Sequence, residues 1–239
     1  MMLVSAVILA GGKGSRMNLD IPKQYLMLND KPLLYYTIKA FEESRVDEII
    51  VVTGDGIING MTEQDYCQKC IIEGFHFNKV KAYAKGGRER YNSVMNGLSE
   101  VNPVSDYVMV HDGARPCVSS EFINRCIDEV SEFGSSVAAV PVKDTIKIVD
   151  ADMNVEGTPD RSCLWQIQTP QTFSYALVSE AYRKRAEAGD TTVTDDAMVV
   201  EKYADHSIYL LKGDYRNIKI TTPEDLVIAE AFLNGGDNR

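Results

Sequence analysis

The sequence contains few residues of the types that bind soft metals or act as general bases. It has five cysteines, one tryptophan and three histidines, His76, His111 and His206. No histidine lies in a motif typical of a catalytic base, and the pair Cys67-x-x-Cys70 has no second Cys or His pair at matching spacing. We therefore expect free thiols without a special role, and no Ser/His/Asp type of catalysis.

An excess of positive charge and long apolar runs are also absent. Thirty-five acidic against 25 basic residues give a net charge of −10, which argues against nucleic acid or an anionic membrane surface as the main partner. The apolar N-terminal stretch is too short to span a membrane and has no basic segment before it. We expect no membrane association, no secretory signal and a cytoplasmic protein. Small anionic substrates remain compatible with this charge, because their site needs only a local cluster of cations.

Apolar strands alternate with helical patterns over most of the 239 residues. Strands are predicted at Val4–Leu9, Glu48–Thr53, Val80–Ala84, Tyr107–His111, Val137–Val142 and Asn217–Thr221. Helices are predicted at Pro32–Phe41, Arg88–Leu98, Glu121–Phe133, Tyr175–Ala188, Asp195–Tyr203 and Pro223–Leu233. This alternation predicts one α/β domain over residues 1–234, with a doubly wound, mostly parallel sheet and helices on both faces. Residues 235–239 are predicted to be a disordered tail.

Residues 143–169 interrupt the alternation. They are predicted to form two polar strands around the turn-rich stretch D-M-N-V-E-G-T-P-D. A two-stranded hairpin is at best marginally stable alone and needs a surface to pack on. We therefore expect a protruding β-arm.

A glycine-rich turn, L-A-G-G-K-G-S-R-M at positions 9–17, follows the first predicted strand. Its spacing fits neither the P-loop nor the dinucleotide-binding fingerprint, which disfavours an NAD oxidoreductase. The glycines let backbone N–H groups approach a bulky anion, and Arg16 and Lys23 add two cations close behind. The turn therefore predicts a triphosphate site. Since His111–Pro116 also leaves the carboxyl end of a strand, both loops are expected to face one crevice.

Six further segments, taken with this turn, carry a family resemblance. They are G-G-R-E-R-Y-N-S-V at 86–94, H-D-G-A-R-P at 111–116, V-K-D-T-I-K at 142–147, D-R-S-C-L-W-Q-I-Q-T-P-Q-T-F at 160–173, T-D-D-A at 194–197 and N-I-K-I-T-T-P-E-D-L at 217–226. In this order they resemble the 2-C-methyl-D-erythritol 4-phosphate cytidylyltransferases of the non-mevalonate isoprenoid pathway, from about Val4 to Phe232. The resemblance implies a Rossmann-like nucleotidyltransferase fold, Mg²⁺ as cofactor, CTP and a polyol phosphate as substrates, and a homodimer embraced by the arm.

The resemblance also implies residue roles. The catalytic residues are Arg16, Lys23, Arg161 and Lys219. The CTP-binding residues are Gly11, Gly12, Gly14, Gly87, Ser93 and Asp112, with Asp112 also a candidate metal ligand. The acceptor-binding residues are Arg115, Thr145, Thr169 and Thr194. No protein base is expected, because the second pKa of a phosphate monoester lies near 6 and the acceptor is already a nucleophile.

One position departs from the family pattern. Many relatives carry Asp directly after the two glycines, where this chain has Arg88; a backbone carbonyl can accept from the same cytosine amino group, so cytosine stays the favoured base. Two alternatives stay open at this point: a cytidylyltransferase that uses ribitol 5-phosphate, and a nucleotide-binding regulatory module without catalysis. The presence of Arg16, Lys23, Arg161 and Lys219 argues against the second.

Overall fold

The computed structural model describes residues 2–12 and 21–235. The strands of these residues are β1 (Val4–Ala10), β2 (Met27–Leu28), β3 (Lys31–Pro32), β4 (Glu48–Thr53), β5 (Ile57–Ile58), β6 (Met61–Thr62), β7 (Val80–Lys85), β8 (Tyr107–Asp112), β9 (Ser135–Pro141), β10 (Ile148–Val149), β11 (Val155–Gly157), β12 (Trp165–Ser174) and β13 (Leu210–Lys212). The helices are α1 (Leu33–Glu42), α2 (Glu63–Tyr66), α3 (Arg90–Leu98), α4 (Ser120–Phe133), α5 (Tyr175–Ala188), α6 (Asp196–Tyr203) and α7 (Pro223–Asn234). A π-helical stretch, Cys67–Glu73, continues α2, and short 3₁₀ turns occur at Lys23–Tyr25 and Arg161–Cys163.

Seven strands form the central sheet, in the order β13-β9-β12-β8-β1-β4-β7. β1 lies parallel to both β4 and β8, β7 lies parallel to β4, and β13 lies parallel to β9. Only β12 runs the other way among these seven, since it pairs antiparallel with β8 and β9. The predicted α/β class with a mostly parallel sheet is confirmed.

The sheet carries an apolar core on each face, because side chains alternate along its buried strands. Ile49 and Val51 of β4 belong to one core cluster, with α1 and α4, while Ile50 and Val52 belong to the other, with α3, α5 and α6. A third, smaller cluster includes Ile220 and packs beneath α7. The helices thus cover both faces, and the strand ends stay free to build a site.

The predicted strand Asn217–Thr221 is wrong. The edge strand of the sheet is β13 instead, and residues 217–221 form no ladder. Loops hold this segment: Arg115 donates from Nη1 to the Asn217 carbonyl at 2.7 Å, and the Ile220 N–H donates to the Ala114 carbonyl at 2.8 Å. The alternation of Ile218 and Ile220 arises because these residues pack beneath α7.

The predicted arm contains the antiparallel hairpin of β10 and β11, which pairs with no strand of the central sheet. Asp150 closes its turn by accepting from the N–H groups of Asp152 (2.9 Å) and Asn154 (2.8 Å). Ile148, Val149, Met153 and Val155 are exposed on it. Residues 165–169, at the end of the predicted arm, are also part of β12, and residues 165–167 pair with β9.

Two further findings bear on the sequence predictions. Within the described part of the chain, no helix is both long and apolar enough to cross a bilayer. The predicted disordered tail begins at Gly235, which directly follows α7, and its residues 236–239 lie outside the described residues.

Candidate active site

A cavity of about 730 Å³ opens at the carboxyl ends of four parallel strands, β1, β4, β7 and β8. Its lining comprises Leu9, Gly11, Gly12, Lys23, Gln24, Gly54, Asp55, Gly86, Gly87, Arg88, Glu89, Arg90, Ser93, Asp112, Ala114, Lys219 and Thr221. Ligands of open α/β sheets bind outside the carboxyl ends of the strands. The two loops that the sequence analysis expected to share a crevice do so, through Gly11 and Gly12 on one side and Asp112 and Ala114 on the other.

The ends of β1, β4 and β7 converge so closely that a side chain on Gly11 or Gly86 would crowd the backbone of β4. A Cβ on Gly11 would lie 3.2 Å from the Thr53 carbonyl oxygen, and one on Gly86 would lie 3.1 Å from the same atom. The Gly86 N–H donates to that oxygen at 2.7 Å. Glycine therefore brings three loops together as a backbone wall, which suits a bulky polar ligand.

The turn before α3 is fixed by hydrogen bonds of its own. The Gly87 N–H donates to Ser93 Oγ at 2.9 Å, and Ser93 Oγ donates to the Glu89 carbonyl at 3.3 Å. Glu89 and Asn92 form a capping box at the start of the helix. Gly87 and Ser93, both predicted to bind CTP, thus lie in one preorganised turn at the cavity.

Asp112, the last residue of β8, is surrounded by three cations. Lys219 Nζ lies 2.8 Å from Asp112 Oδ2, Arg115 Nε lies 3.7 Å from the same oxygen, and Arg90 Nε lies 3.5 Å from Oδ1. Burial alone raises the pKa of Asp112, but the charges of Arg90, Lys219 and Arg115 outweigh burial and hold that pKa well below its ordinary value. The carboxylate is therefore ionised throughout the physiological range.

Arg115 and Thr169 lie behind the cavity and do not line it. The Asp112 N–H donates to Thr169 Oγ1 at 3.0 Å, and Asn217 Nδ2 donates to the Thr169 carbonyl at 2.8 Å. Arg115 is mostly buried, and burial lowers its pKa. These two residues therefore hold β8, β12 and the segment that carries Lys219 in register.

Lys23 reaches the cavity from the 3₁₀ turn that follows Pro22. Its Nζ donates to the Ile220 carbonyl at 2.6 Å, one residue after Lys219. The neighbouring side chain of Gln24 donates to the Ala10 carbonyl at the end of β1. Lys23 and Lys219, distant in sequence, are thereby brought to the same rim. Arg16 and Gly14 lie outside the described residues.

Three further predicted residues, besides Arg115 and Thr169, do not line the cavity. Thr145 and Arg161 are exposed on the arm, where Arg161 Nη1 donates to the Lys143 carbonyl at 2.9 Å. Thr194 is exposed on the loop before α6, with its hydroxyl 3.6 Å from Met198 Sδ. Within one chain these residues are not assembled with Lys23, Asp112 and Lys219.

One pair at the site was missed by the sequence analysis. Arg90 lines the cavity and forms a bidentate ion pair with buried Asp196, through Nη1 to Oδ1 at 2.8 Å and Nη2 to Oδ2 at 2.7 Å. Tyr182 donates its hydroxyl to Asp196 Oδ1 at 2.5 Å. Arg90 and Asp196 each lie in a quoted motif, G-G-R-E-R-Y-N-S-V and T-D-D-A, but only the fold shows that the motifs meet.

The donors at the cavity suit a hard cation. Among residues 2–12 and 21–235 there is no group of three or more His, Cys, Asp and Glu side chains able to hold a metal ion. The cavity has carboxylates instead, on Asp112, Asp55 and Glu89. Mg²⁺ is typically held by one or two carboxylates together with substrate phosphates. The donor set therefore fits an ion that arrives with a nucleotide, and Asp112 is the most enclosed of the three candidates.

This fold and site define an α/β nucleotidyltransferase: a mostly parallel sheet, a glycine turn after the first strand, and lysines around a carboxylate at the strand ends. Residues 4–235 match the family IspD, 2-C-methyl-D-erythritol 4-phosphate cytidylyltransferase. The chain belongs to this family, as the motif resemblance indicated.

Relatives in sequence agree over nearly the full length. The 2-C-methyl-D-erythritol 4-phosphate cytidylyltransferase of Lachnospira eligens is 50% identical over 233 residues, covering 97% of this chain and 99% of the relative. That of Lachnoclostridium phytofermentans is 48% identical over 230 residues, covering 96% of each chain. These similarities favour the erythritol phosphate family over the ribitol phosphate sister family.

Solved structures agree as well. The 4-diphosphocytidyl-2C-methyl-D-erythritol synthase of Anaerococcus prevotii has a TM-score of 0.82 at 33% identity, covering 98% of this chain and 99% of that one. The 2-C-methyl-D-erythritol 4-phosphate cytidylyltransferase of Thermus thermophilus has a TM-score of 0.76 at 28% identity, with coverage of 98% and 100%. The arrangement of the central sheet is therefore that of the family.

Proposed function

We propose that the protein transfers CMP from CTP to 2-C-methyl-D-erythritol 4-phosphate. The products are pyrophosphate and 4-diphosphocytidyl-2-C-methyl-D-erythritol. One observation supports this most: Lys219 and Lys23 reach the rim of one cavity beside the ionised Asp112, and the glycine turns at Gly11 and Gly87 line the same cavity. The family to which the chain belongs carries this activity in its name.

The reaction requires stabilisation of negative charge more than it requires proton transfer. A phosphate oxygen of the acceptor attacks the α-phosphorus of CTP, a new P–O bond forms, and the bond to the β-phosphate oxygen breaks as pyrophosphate leaves. The acceptor phosphate is already ionised at neutral pH. In keeping with this, His111 is fully buried, and burial lowers its pKa to about 3. It is therefore neutral and screened from the cavity, and serves as no base.

Cations supply the transition-state stabilisation in this proposal. Negative charge grows on the α-phosphate oxygens during attack, and preorganised positive groups stabilise it more than they stabilise the bound substrates. Lys23 and Lys219 take this role at the described rim, and Arg16, outside the described residues, is assigned to it by its motif position. Asp112 and the carbonyl of Ile220 hold the two lysine ammonium groups before substrate binds.

The nucleotide is proposed to bind along the glycine walls. Gly11, Gly12 and Gly14 take the phosphates, while the turn of Gly87 and Ser93 accommodates the base. Cytosine is the smallest base with an amino group, and it suits a site built mainly of backbone groups. Arg88 lines this part of the cavity in place of the Asp of many relatives, so the base preference of this chain is worth measuring directly.

The acceptor site is proposed to include the arm of a second subunit. Thr145 and Arg161 are exposed on an arm whose hairpin also exposes Ile148 and Val155. A two-stranded hairpin with exposed apolar side chains is expected to need a partner surface. A homodimer would cover it and bring Arg161 to the acceptor phosphate bound in the cavity of the other chain.

Mg²⁺ is proposed as the cofactor, held by Asp112 and by the triphosphate oxygens. The ion would supply positive charge at the phosphates and help to orient them for in-line attack. This chain would supply the ionised carboxylate of Asp112, which the cations around it keep deprotonated.

A pyrophosphate-release assay tests the proposed function. The purified protein is given each of the four nucleoside triphosphates with 2-C-methyl-D-erythritol 4-phosphate, ribitol 5-phosphate or erythritol 4-phosphate. We expect the highest kcat/KM for CTP with 2-C-methyl-D-erythritol 4-phosphate. Preference for ribitol 5-phosphate would reassign the acceptor, and nucleotide binding without turnover in any combination would reassign the protein as a binding module.

A further inference from the structure

The two oxygens of the Asp112 carboxylate are not equally engaged. Oδ2 accepts from Lys219 Nζ at 2.8 Å and lies 3.7 Å from Arg115 Nε. Oδ1 has only one described contact, with Arg90 Nε at 3.5 Å, which is the outer limit of a hydrogen bond. Oδ1 is therefore the freer oxygen at the cavity.

Arg90 stays at this distance although an arginine fork is well suited to a carboxylate. Its two terminal nitrogens are engaged by Asp196, in bonds of 2.8 and 2.7 Å. Asp196 is completely buried and cannot be satisfied by water, whereas Asp112 keeps about a tenth of its side chain exposed. Since bidentate Arg–carboxylate pairs are the stronger and more directional ones, the guanidinium is committed to Asp196.

Asp196 is itself fixed from behind. Tyr182, also buried, donates its hydroxyl to Asp196 Oδ1 at 2.5 Å. The neighbouring residues are held as well, because Gln171 donates to Asp195 Oδ2 at 3.0 Å and accepts from the Ala197 N–H at 2.8 Å. The carboxylate of Asp196 therefore has a fixed position, and it sets the position of the Arg90 guanidinium.

We propose that Asp196, backed by Tyr182, is a positioning residue that binds Arg90 and so withholds it from Asp112, leaving Asp112 Oδ1 available to the incoming nucleotide and its cation. This rests on the proposed function, in which Asp112 contacts the bound nucleotide and its cation. Without Asp196, Arg90 loses its bidentate partner, moves onto Asp112 and neutralises the oxygen that substrate needs. Because this effect acts through Asp112, it should depend on the Asp112 carboxylate, whereas an effect of lost packing should not.

The molecule offers a matched control between the loop before α6 and the end of that helix. Asp190 also accepts from a tyrosine and a cation, from Tyr203 Oη at 2.9 Å and Lys202 Nζ at 3.2 Å. Neither Asp190 nor Tyr203 lines the cavity. Asp190→Asn and Tyr203→Phe therefore repeat the same chemical changes where no contact with Asp112 exists.

The test measures CTP binding by calorimetry in the presence of Mg²⁺, together with kcat and KM. We expect Asp196→Asn to weaken CTP binding about tenfold and Tyr182→Phe about threefold, in the range for loss of a charged or a neutral hydrogen-bond partner. Asp190→Asn and Tyr203→Phe should bind CTP as the wild type does. Because buried Asp196 also contributes to folding, thermal unfolding is recorded for each variant, and Tyr182→Phe decides the matter if Asp196→Asn does not fold.

A double-mutant cycle separates positioning from a structural role. In an Asp112→Asn background Arg90 has no carboxylate to move onto, so Asp196→Asn, or Tyr182→Phe in its place, should weaken CTP binding no further. An equal loss in both backgrounds, or variants that match their Asp190 and Tyr203 controls, would overturn the proposal. Failure of the proposed function is distinguishable from failure of this proposal. It would show in the wild-type protein alone, as no turnover of any substrate pair in the pyrophosphate assay.

Discussion

Lys219 donates from Nζ to Asp112 Oδ2 at 2.8 Å, joining two segments that lie 107 positions apart in the chain. Asp112 ends β8, whereas Lys219 belongs to the unpaired segment before α7. The contact places an ammonium group, whose side chain is 37% exposed, next to a carboxylate whose side chain is 10% exposed. A cation held in this way is neutralised in the free protein and available to an incoming phosphate.

Lys219→Ala should lower kcat about 10²–10³-fold, the usual cost of removing one donor to developing charge. KM for CTP should change much less, since the loss falls mainly in the transition state. Lys212→Ala is the control, because Lys212 is exposed on nearby β13 and lies outside the cavity. Equal kinetics for the two variants would remove Lys219 from the reaction.

Lys23→Ala and Arg16→Ala should each reduce kcat by a similar factor while the protein stays folded. Lys23 lines the cavity, and Arg16 follows the glycine turn in sequence. Steady-state kinetics and thermal unfolding are measured side by side, with Lys39→Ala as a surface control on α1. A near-normal kcat in a folded Lys23 variant would move the triphosphate site elsewhere.

Activity should require Mg²⁺ and disappear in excess chelator. The described residues hold no cluster of thiol or imidazole ligands, and the carboxylates at the cavity suit a hard ion. Asp112→Asn should raise the Mg²⁺ concentration needed for half-maximal rate. Full activity in chelator would contradict the proposed cofactor. An unchanged Mg²⁺ dependence in Asp112→Asn would mean that Asp112 is not a ligand of the ion and that the substrate phosphates hold it.

Stability should fall as the pH falls below 6.5. Burial lowers the pKa of His111 from 6.5 to about 3 in the folded protein. Between these values the unfolded chain binds a proton that the folded chain does not, so the free energy of unfolding rises with pH by up to about 1.4 kcal/mol per unit. Denaturant unfolding should show this slope reduced in His111→Asn. An unchanged slope in a folded His111→Asn variant would refute the assignment.

The arm should make the active site composite. If Arg161 serves the partner subunit's site, mixing Arg161→Ala and Lys23→Ala chains gives heterodimers in which one site carries both defects and the other carries none. Activity should then recover to about half the wild-type value per dimer, by simple counting of intact sites. Tag-specific purification verifies the mixed dimer. No recovery in a verified heterodimer would mean that Arg161 acts within its own chain.

Local pattern predicted the parts of the fold whose strands are apolar. β1, β4, β8 and β9 were found because runs such as Ile49–Val52 are buried on both faces. β12 was missed because it carries glutamines, of which Gln171 is buried and bonded to Asp195. The alternation of Ile218 and Ile220 was misleading, because it reflects packing beneath α7 and not pairing in the sheet.

The site residues, too, could be predicted from the sequence only in part. The glycine turn, Asp112 and Lys219 lie in motifs that the sequence displays, and the structure brings them to one cavity. The pair of Arg90 and Asp196 spans 106 positions, and no local spacing can predict such a contact. A crossing of the arm into a second subunit would likewise be a property of an assembly, so the roles of Thr145 and Arg161 stay predictions.

The most direct measurement follows the α-phosphate itself. CTP labelled with ³²P at the α-position is incubated with the protein, Mg²⁺ and 2-C-methyl-D-erythritol 4-phosphate, and the products are separated. We expect the label to enter a cytidine diphosphate ester of the polyol, in equimolar amount with released pyrophosphate, and only when the acceptor is present. Label that stays in CTP, or that appears as free CMP with or without acceptor, would contradict this expectation.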